Sequence, residues 1–297
     1  MPDGAGDGEC GSDPLMPGDH VCWIFDDDGH CQAALARFVA AGLDAGERVL
    51  YATAARPPVE VLAGLAAGAA AADAVREAVH TGQLEVRAAE ELYLPDGRFD
   101  PVRTIDALAE EVDRAGRDGY AGLRVVADMA WARRDPPGAG HLARYEAQVN
   151  RLFLDRPVMA CLYDRRLFEV GMLRRAASAH LSTSLADPDG GAPGPVLRLR
   201  RTGPASVRLA GEADAGNRLA LSAVLSLLIE EVTDRPVRLD VTGLRFLDAA
   251  AAGVLAGAAA VAPGGLTLTG CGASVSRVLT MTGTADAPGL RLAEGTT

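Results

Sequence analysis

GDHVCWIFDDDGHCQAALARFVAAGLDAGERVLYAT, residues 18–53, decides the fold of the longer part of this chain. Val21–Phe25 is an apolar run that reads as a buried strand. A helical pattern follows over His30–Leu43, and Arg48–Thr53 is a second apolar strand. Strand, short loop, helix and strand in this order predict a parallel βαβ unit.

The alternation continues outward. Pro57 and Pro58 open a helix near Val59, as proline suits a first helical turn. Leu84–Ala88 is a short strand. Pro101–Arg117 is an amphipathic helix with Val102, Ile105, Leu108 and Val112 on one stripe. Leu123–Asp128 is a strand, His141–Phe153 a helix, and Val158–Tyr163 the last clear strand. The expected fold is α/β, a mostly parallel sheet with helices on both faces.

DPDGGAPGP, Asp187–Pro195, holds neither helix nor strand and reads as a linker. The charge changes across it. Residues 1–194 carry 31 acidic and 19 basic side chains, whereas residues 195–297 carry 9 and 10. The expected organisation is a disordered tail over 1–16, a first domain over 17–186, the linker over 187–195, and a second domain over 196–297. In the second domain Leu197–Arg201 and Ser206–Ala210 read as paired strands, Arg218–Val232 as a helix, and Val237–Val241 as a strand. Thr242 and Gly243 read as a turn, and Ala249–Val261 as a helix. Leu266–Thr269 is a further strand, and a third helix begins near Ser274. This is a small αβ sandwich.

Composition removes several function classes. The chain has 297 residues, net charge −11, and no lysine among its 29 basic residues. A phosphate-loop lysine, a Schiff-base lysine and pyridoxal-phosphate chemistry are therefore excluded. The acidic balance argues against nucleic acid as a partner. Five scattered cysteines without a CxxC pair are no disulfide framework and point to a reducing compartment. The Gly/Asp-rich start is not a signal peptide, and the longest apolar run, Ala249–Ala262, is too short to span a bilayer. The expectation is a cytoplasmic protein with no membrane partner. No G-x-S-x-G elbow and no H-E-x-x-H occurs, and no catalytic constellation is expected.

The first-domain pattern resembles the opening of a RecA/KaiC-type ATPase domain, with a departure at the loop. Where a phosphate loop supplies glycines and a lysine, this chain has Phe25, Asp26, Asp27, Asp28, Gly29 and His30. Carboxylates there oppose a triphosphate, so nucleotide binding is expected to be lost. The ordered set GDHVCWIF (Gly18–Phe25), AAGLDAGERVLYAT (Ala40–Thr53), LRVVADMAWA (Leu123–Ala132), YEAQVNRLF (Tyr145–Phe153) and CLYDRRLF (Cys161–Phe168), with a final His180, resembles the MEDS family of sensory domains. That family was named from methanogen and methylotroph regulators including DcmR. The resemblance implies sensing of a small organic ligand, without a settled ligand or reaction.

Ligands of open parallel sheets sit at the carboxyl ends of the strands. That rule selects Asp26, Arg56, Asp128, Trp131, Tyr163 and Arg165 as candidate ligand-binding residues. Trp131 and Tyr163 offer flat apolar walls, and they read equally as core aromatics. His20, Cys22, His30 and Cys31 lie within twelve residues and raise a zinc reading. One strand face cannot bring all four to a point, so no metal and no cofactor is expected.

Past the linker, VRLAGEADAGN (Val207–Asn217), RLDVTGLRFLDAAAAGVL (Arg238–Leu255), LTLTGCGASVSRVLTMTG (Leu266–Gly283) and GLRL (Gly289–Leu292) resemble a STAS domain, the fold of anti-sigma factor antagonists. The resemblance implies an anti-sigma factor or related serine-kinase-type switch protein as partner, and homo-oligomers through STAS contacts are possible. Asp248, Ala250 and Gly253 are the candidate regulatory residues. Asp248 precedes a helix as its cap. Antagonists switched by phosphorylation carry a serine two residues later, where this chain has Ala250. Gly253 and Gly257 allow close approach, either of the domain's own sheet or of a partner. The expected whole is a non-enzymatic signalling regulator in which the first domain controls the second. A RecA-like or other small-molecule enzyme using the strand-end crevice, or a STAS-based scaffold, is the alternative.

Overall fold

The computed structural model describes Leu15 and residues 17–154, 157–185 and 197–293. The linker Asp187–Pro195 and nearly all of the tail lie outside the described residues. The first part builds β1 (His20–Phe25), α1 (Asp28–Asp44), β2 (Arg48–Thr53), α2 (Pro58–Leu65), α3 (Ala69–His80), β3 (Leu84–Ala88), α4 (Ala89–Tyr93) and α5 (Pro101–Arg117). It continues with β4 (Leu123–Asp128), α6 (Leu142–Val149), β5 (Val158–Asp164), α7 (Val170–Ala179) and β6 (Ser182–Leu185). The six strands form one sheet in the order β3-β2-β4-β5-β1-β6, and every pairing is parallel.

Both faces of this sheet are covered, which explains why its strands read as continuous apolar runs. Trp23, Val49, Tyr51, Val126, Ala160 and Leu162 meet helices α1–α3 through Leu35, Phe38, Val61 and Val75. The alternate residues Cys22, Leu50, Val125, Met159, Cys161 and Tyr163 face α4–α7. The sequence pattern predicts one helix opening near Val59. Two form, because Gly68 at φ 100° breaks the run in a conformation open to glycine. The sequence pattern also shows no clear strand after β5. β6 is only four residues long and gains its order from pairing with the free edge of β1.

The second part builds β7 (Leu197–Gly203), β8 (Ser206–Ala213), α8 (Arg218–Glu231), β9 (Val237–Leu247), α9 (Ala249–Val261), β10 (Leu266–Thr269), α10 (Ala273–Met281) and β11 (Leu290–Ala293). Its five-stranded sheet has the order β11-β10-β9-β8-β7, with only β7 and β8 antiparallel. Alternating burial along β9 puts Val237, Leu239 and Val241 in a core shared with α8 and α9, while Arg238 and Thr242 face solvent.

Thr242 and Gly243 do not turn the chain, which corrects the sequence expectation. β9 continues through them to Leu247, and two register shifts against β8 absorb the irregularity. The glycine is needed for closeness: a Cβ at Gly243 would lie 2.8 Å from the Ala210 Cβ on β8.

The two parts pack on each other. α6 and α7 lie against α8. Leu154 and Leu181, from the first part, join the apolar core of the second.

Candidate functional site

The carboxyl ends of β1, β2, β4 and β5 open into a cavity of about 240 Å³ on the α1 face of the sheet. That volume is below the roughly 300–1,000 Å³ of drug-sized pockets and suits a small molecule. Phe25, Cys31, Leu35, Tyr51 and Leu162 supply apolar wall. Burial raises the Tyr51 phenol and pushes the Cys31 thiol up to about 12, so both stay neutral.

Charge is held at the rim, in pairs. Asp164 is bound by Arg166 at 2.7 Å, and Arg166 also reaches Asp28. Burial opposes the charge on Asp164, but the Arg166 guanidinium outweighs it and holds the carboxyl below its usual range. Thr53 turns its hydroxyl onto the carbonyl of Arg56 at 2.8 Å, shaping the loop after β2.

The candidate ligand residues divide. Arg56 and Asp128 line the cavity. Asp128 is not a free acceptor: one oxygen takes the N–H groups of Ala54 and Ala55 at 2.9 and 2.7 Å, and the other takes Ala130 N–H at 3.0 Å. It clamps the end of β4 to the end of β2. Asp26 and Arg165 pair with each other at 3.2 Å on the exposed surface beside the cavity.

Trp131 and Tyr163 do not reach the cavity, which corrects their expected place. Both are fully buried on the opposite face of the sheet. Tyr163 follows Leu162 and precedes Asp164, and strand alternation sends its ring the other way. Trp131 stacks on Tyr93 at 5.0 Å and lies 4.9 Å from Phe99, inside an aromatic cluster.

The connection from β1 to α1 is only Asp26 and Asp27. Asp27 caps α1, accepting from the His30 N–H at 2.8 Å. Two residues cannot wrap a polyphosphate, so the phosphate cradle is absent by geometry as well as by charge.

The zinc set weighed in the sequence is split by the sheet. His30 is exposed and Cys31 lines the strand-end cavity, while His20 and Cys22 face α6 and α7. His20 instead meets three residues that sequence reading did not join to it. Glu146 of α6, Cys161 of β5 and His180 after α7 all turn inward, and one polar atom from each lies within 4.8 Å of every other. All four residues are fully buried. Burial lowers both imidazoles to about 4 and raises Glu146 and Cys161. Tyr163 donates its hydroxyl to Glu146 Oε1 at 2.5 Å. The available sequence signals were Glu146 on an otherwise apolar helix face and the isolated His180.

In the second part, Asp248 caps α9, accepting from Ala251 N–H at 2.7 Å and, through its other oxygen, from Ala215 N–H at 2.9 Å. Ala250 is half-buried in the first turn, and Gly253 is exposed. A Cβ at Gly253 or Gly257 meets nothing within 4 Å, so packing on the domain's own sheet does not require these glycines. Phe246, 48% exposed, is the last residue but one of β9, just before this helix.

Two family models match this chain. One, described as the methanogen/methylotroph, DcmR sensory domain (MEDS), covers residues 19–181. The other, described as a Mlab, STAS domain, covers residues 197–292. No curated protein matches the chain. Among the described residues no helix is long and apolar enough to cross a membrane.

Proposed function

The chain belongs to the MEDS sensory family and continues into a STAS domain, and from that premise we propose that it is a non-enzymatic, cytoplasmic signalling regulator. The first domain binds a small, largely apolar organic molecule in the strand-end cavity. The STAS domain presents the exposed side of α9, with Gly253 and Gly257, to an anti-sigma factor or a related switch protein. Ala250 stands where a phosphoacceptor serine would stand, so control comes from the first domain instead of from a kinase at that site.

One observation carries this reading. α6 and α7 rest on α8, and Leu154 and Leu181 enter the STAS core, so the sensory part is built into the domain that meets the partner. A ligand shifts an equilibrium only through its differential affinity for two states. A shared core lets both sites bias the same packing.

The test is a calorimetric titration of the full-length chain with its anti-sigma partner, with and without a saturating small-molecule hit from a thermal-shift screen. The expected change in partner affinity is ~5–150-fold, with the reciprocal change in ligand affinity. Equal partner affinity across the titration overturns the coupling. Saturable ATP hydrolysis by the full-length chain favours the enzyme alternative.

A further inference from the structure

We propose that His20, Glu146, Cys161 and His180 form a closed, tetrahedral site for one divalent metal ion of the zinc type. The site lies on the α6/α7 face of the sheet, separate from the strand-end cavity, and the inference does not depend on the sensory reading above.

Four of the six spacings among these groups are those of a coordination shell, and all six lie within 4.8 Å. A zinc ion sits about 2.0–2.1 Å from nitrogen or oxygen and about 2.3 Å from sulfur, so tetrahedral ligand atoms stand roughly 3.3–3.6 Å apart. His20 Nε2 lies 3.3 Å from Cys161 Sγ and 3.5 Å from Glu146 Oε2. His180 Nε2 lies 3.4 Å from Glu146 Oε2, and Cys161 Sγ lies 3.6 Å from that same oxygen. These four edges match a tetrahedron around one ion.

The protons are arranged for it. His180 Nδ1 lies 2.7 Å from the carbonyl oxygen of Ala176, which can only accept, so Nδ1 carries the hydrogen and Nε2 presents a lone pair. The Asn150 amide donates to the carbonyls of Glu146 and Ala179, each at 2.8 Å, which turns its oxygen onto His20 Nδ1 at 3.0 Å. His20 Nε2 therefore also presents a lone pair. Without an ion, two lone pairs, a carboxylate oxygen and a sulfur face one another with at most two protons to share. Among the described residues His180 Nε2 has no hydrogen-bond partner, although it is fully buried. A buried acceptor left without a donor is unfavourable in a core.

An ion resolves both the orphan and the charge. On binding, the Cys161 thiol gives up its proton to solvent, and the thiolate and the Glu146 carboxylate together neutralise a dication. The core then holds a neutral unit. Each of three ligands already has an outer partner that orients it: Asn150 for His20, the Ala176 carbonyl for His180, and the Tyr163 hydroxyl for Glu146. Two imidazoles and a thiolate favour zinc over magnesium or calcium. Four protein ligands leave no open position, so the ion is structural or sensed and is not catalytic. Glu146 sits on α6 and His180 ends α7, the two elements that rest on α8.

The test uses the full-length chain. Metal content is measured after purification without chelators, and the chelator-stripped chain is titrated with zinc against a chromophoric competitor. X-ray absorption at the zinc edge reads the shell directly. One ion per chain is expected, with one sulfur and three nitrogen or oxygen neighbours. Asn150→Ala should weaken zinc binding ~10–100-fold, the usual effect of losing an outer partner, and His180→Ala by more. Cys271→Ser, in the second domain, should leave zinc uptake and affinity unchanged. Cobalt in place of zinc should show a thiolate charge-transfer band that Cys161→Ser removes. A chain that takes up no zinc, a shell without sulfur or with several sulfurs, or unchanged affinity in His180→Ala overturns the site. The absorption measurement on the unaltered chain decides the matter even if the ligand variants fail to fold.

Discussion

Asp19, just before β1, forms an ion pair with Arg198 on β7 at 3.3 Å, and this pair joins the sensory part to the STAS sheet. The carboxylate side chain is 2% exposed and the guanidinium 17%. A buried carboxylate that loses a partner keeps its desolvation cost. Arg198→Ala should therefore lower stability in urea denaturation by about 1–3 kcal/mol. Arg235→Ala, which removes an exposed pair with the neighbouring Asp234, should stay within about 0.5 kcal/mol. Equal effects of the two would show that the junction pair contributes nothing.

Trp131→Ala should act on folding and not on ligand recognition. The ring is fully buried against Tyr93 and Phe99. Its removal leaves a core cavity and should cost about 3–5 kcal/mol, measured by chemical denaturation. A folded variant with wild-type stability and selectively weakened ligand binding would return the ring to the binding site.

Stability should fall as the pH drops below about 4.5, in part through Glu111. Burial opposes its charge, but Arg48, Arg87 and Arg114 outweigh that and hold its pKa below the ordinary value of 4.5. The folded-state pKa lies below the unfolded one, so the unfolded chain binds more protons in this window. The stabilisation is full above about pH 4.5 and is lost as the pH falls through the folded value. Glu111→Gln should flatten this part of the pH–stability curve in thermal melts between pH 3 and 6. An unchanged slope would assign the acid loss to other carboxylates.

Gly253→Ala should stabilise the chain by roughly 0.5–1 kcal/mol, since a helix-interior glycine costs about that much relative to alanine. The added methyl meets nothing within 4 Å. Gly253→Glu should fold as well as wild type and lose the partner, because a long charged side chain then stands on the exposed face of α9. Retained partner affinity in Gly253→Glu would move the interface elsewhere on the domain.

Much of the α/β alternation was legible because periodicity is local. β2, β3, β4, α5 and α9 end where the sequence pattern ends. The carboxylates at the phosphate-loop position and the alanine at 250 were legible for the same reason: each is a statement about residue type at one place. β6 was not legible, because STSL carries no apolar run and becomes a strand only beside β1. The turn expected at Thr242 and Gly243 failed because the glycine answers to Ala210 on another strand.

The sites divide along the same line. The sequence by itself determined that a parallel sheet would open a cavity at its strand ends, and that Arg56 and Asp128 would stand there. It could not say which way Tyr163 points, since a shift of one residue along a strand exchanges the faces of the sheet. Nor could it gather His20, Glu146, Cys161 and His180, which lie up to 160 positions apart in the chain. Only the tertiary structure decided that cluster. The parallel pairing of β1 with β5 sets His20 opposite Met159, one diagonal step from Cys161, and α6 and α7 close over them from the same side. Convergence of this kind depends on strand order and helix packing, which no local pattern records.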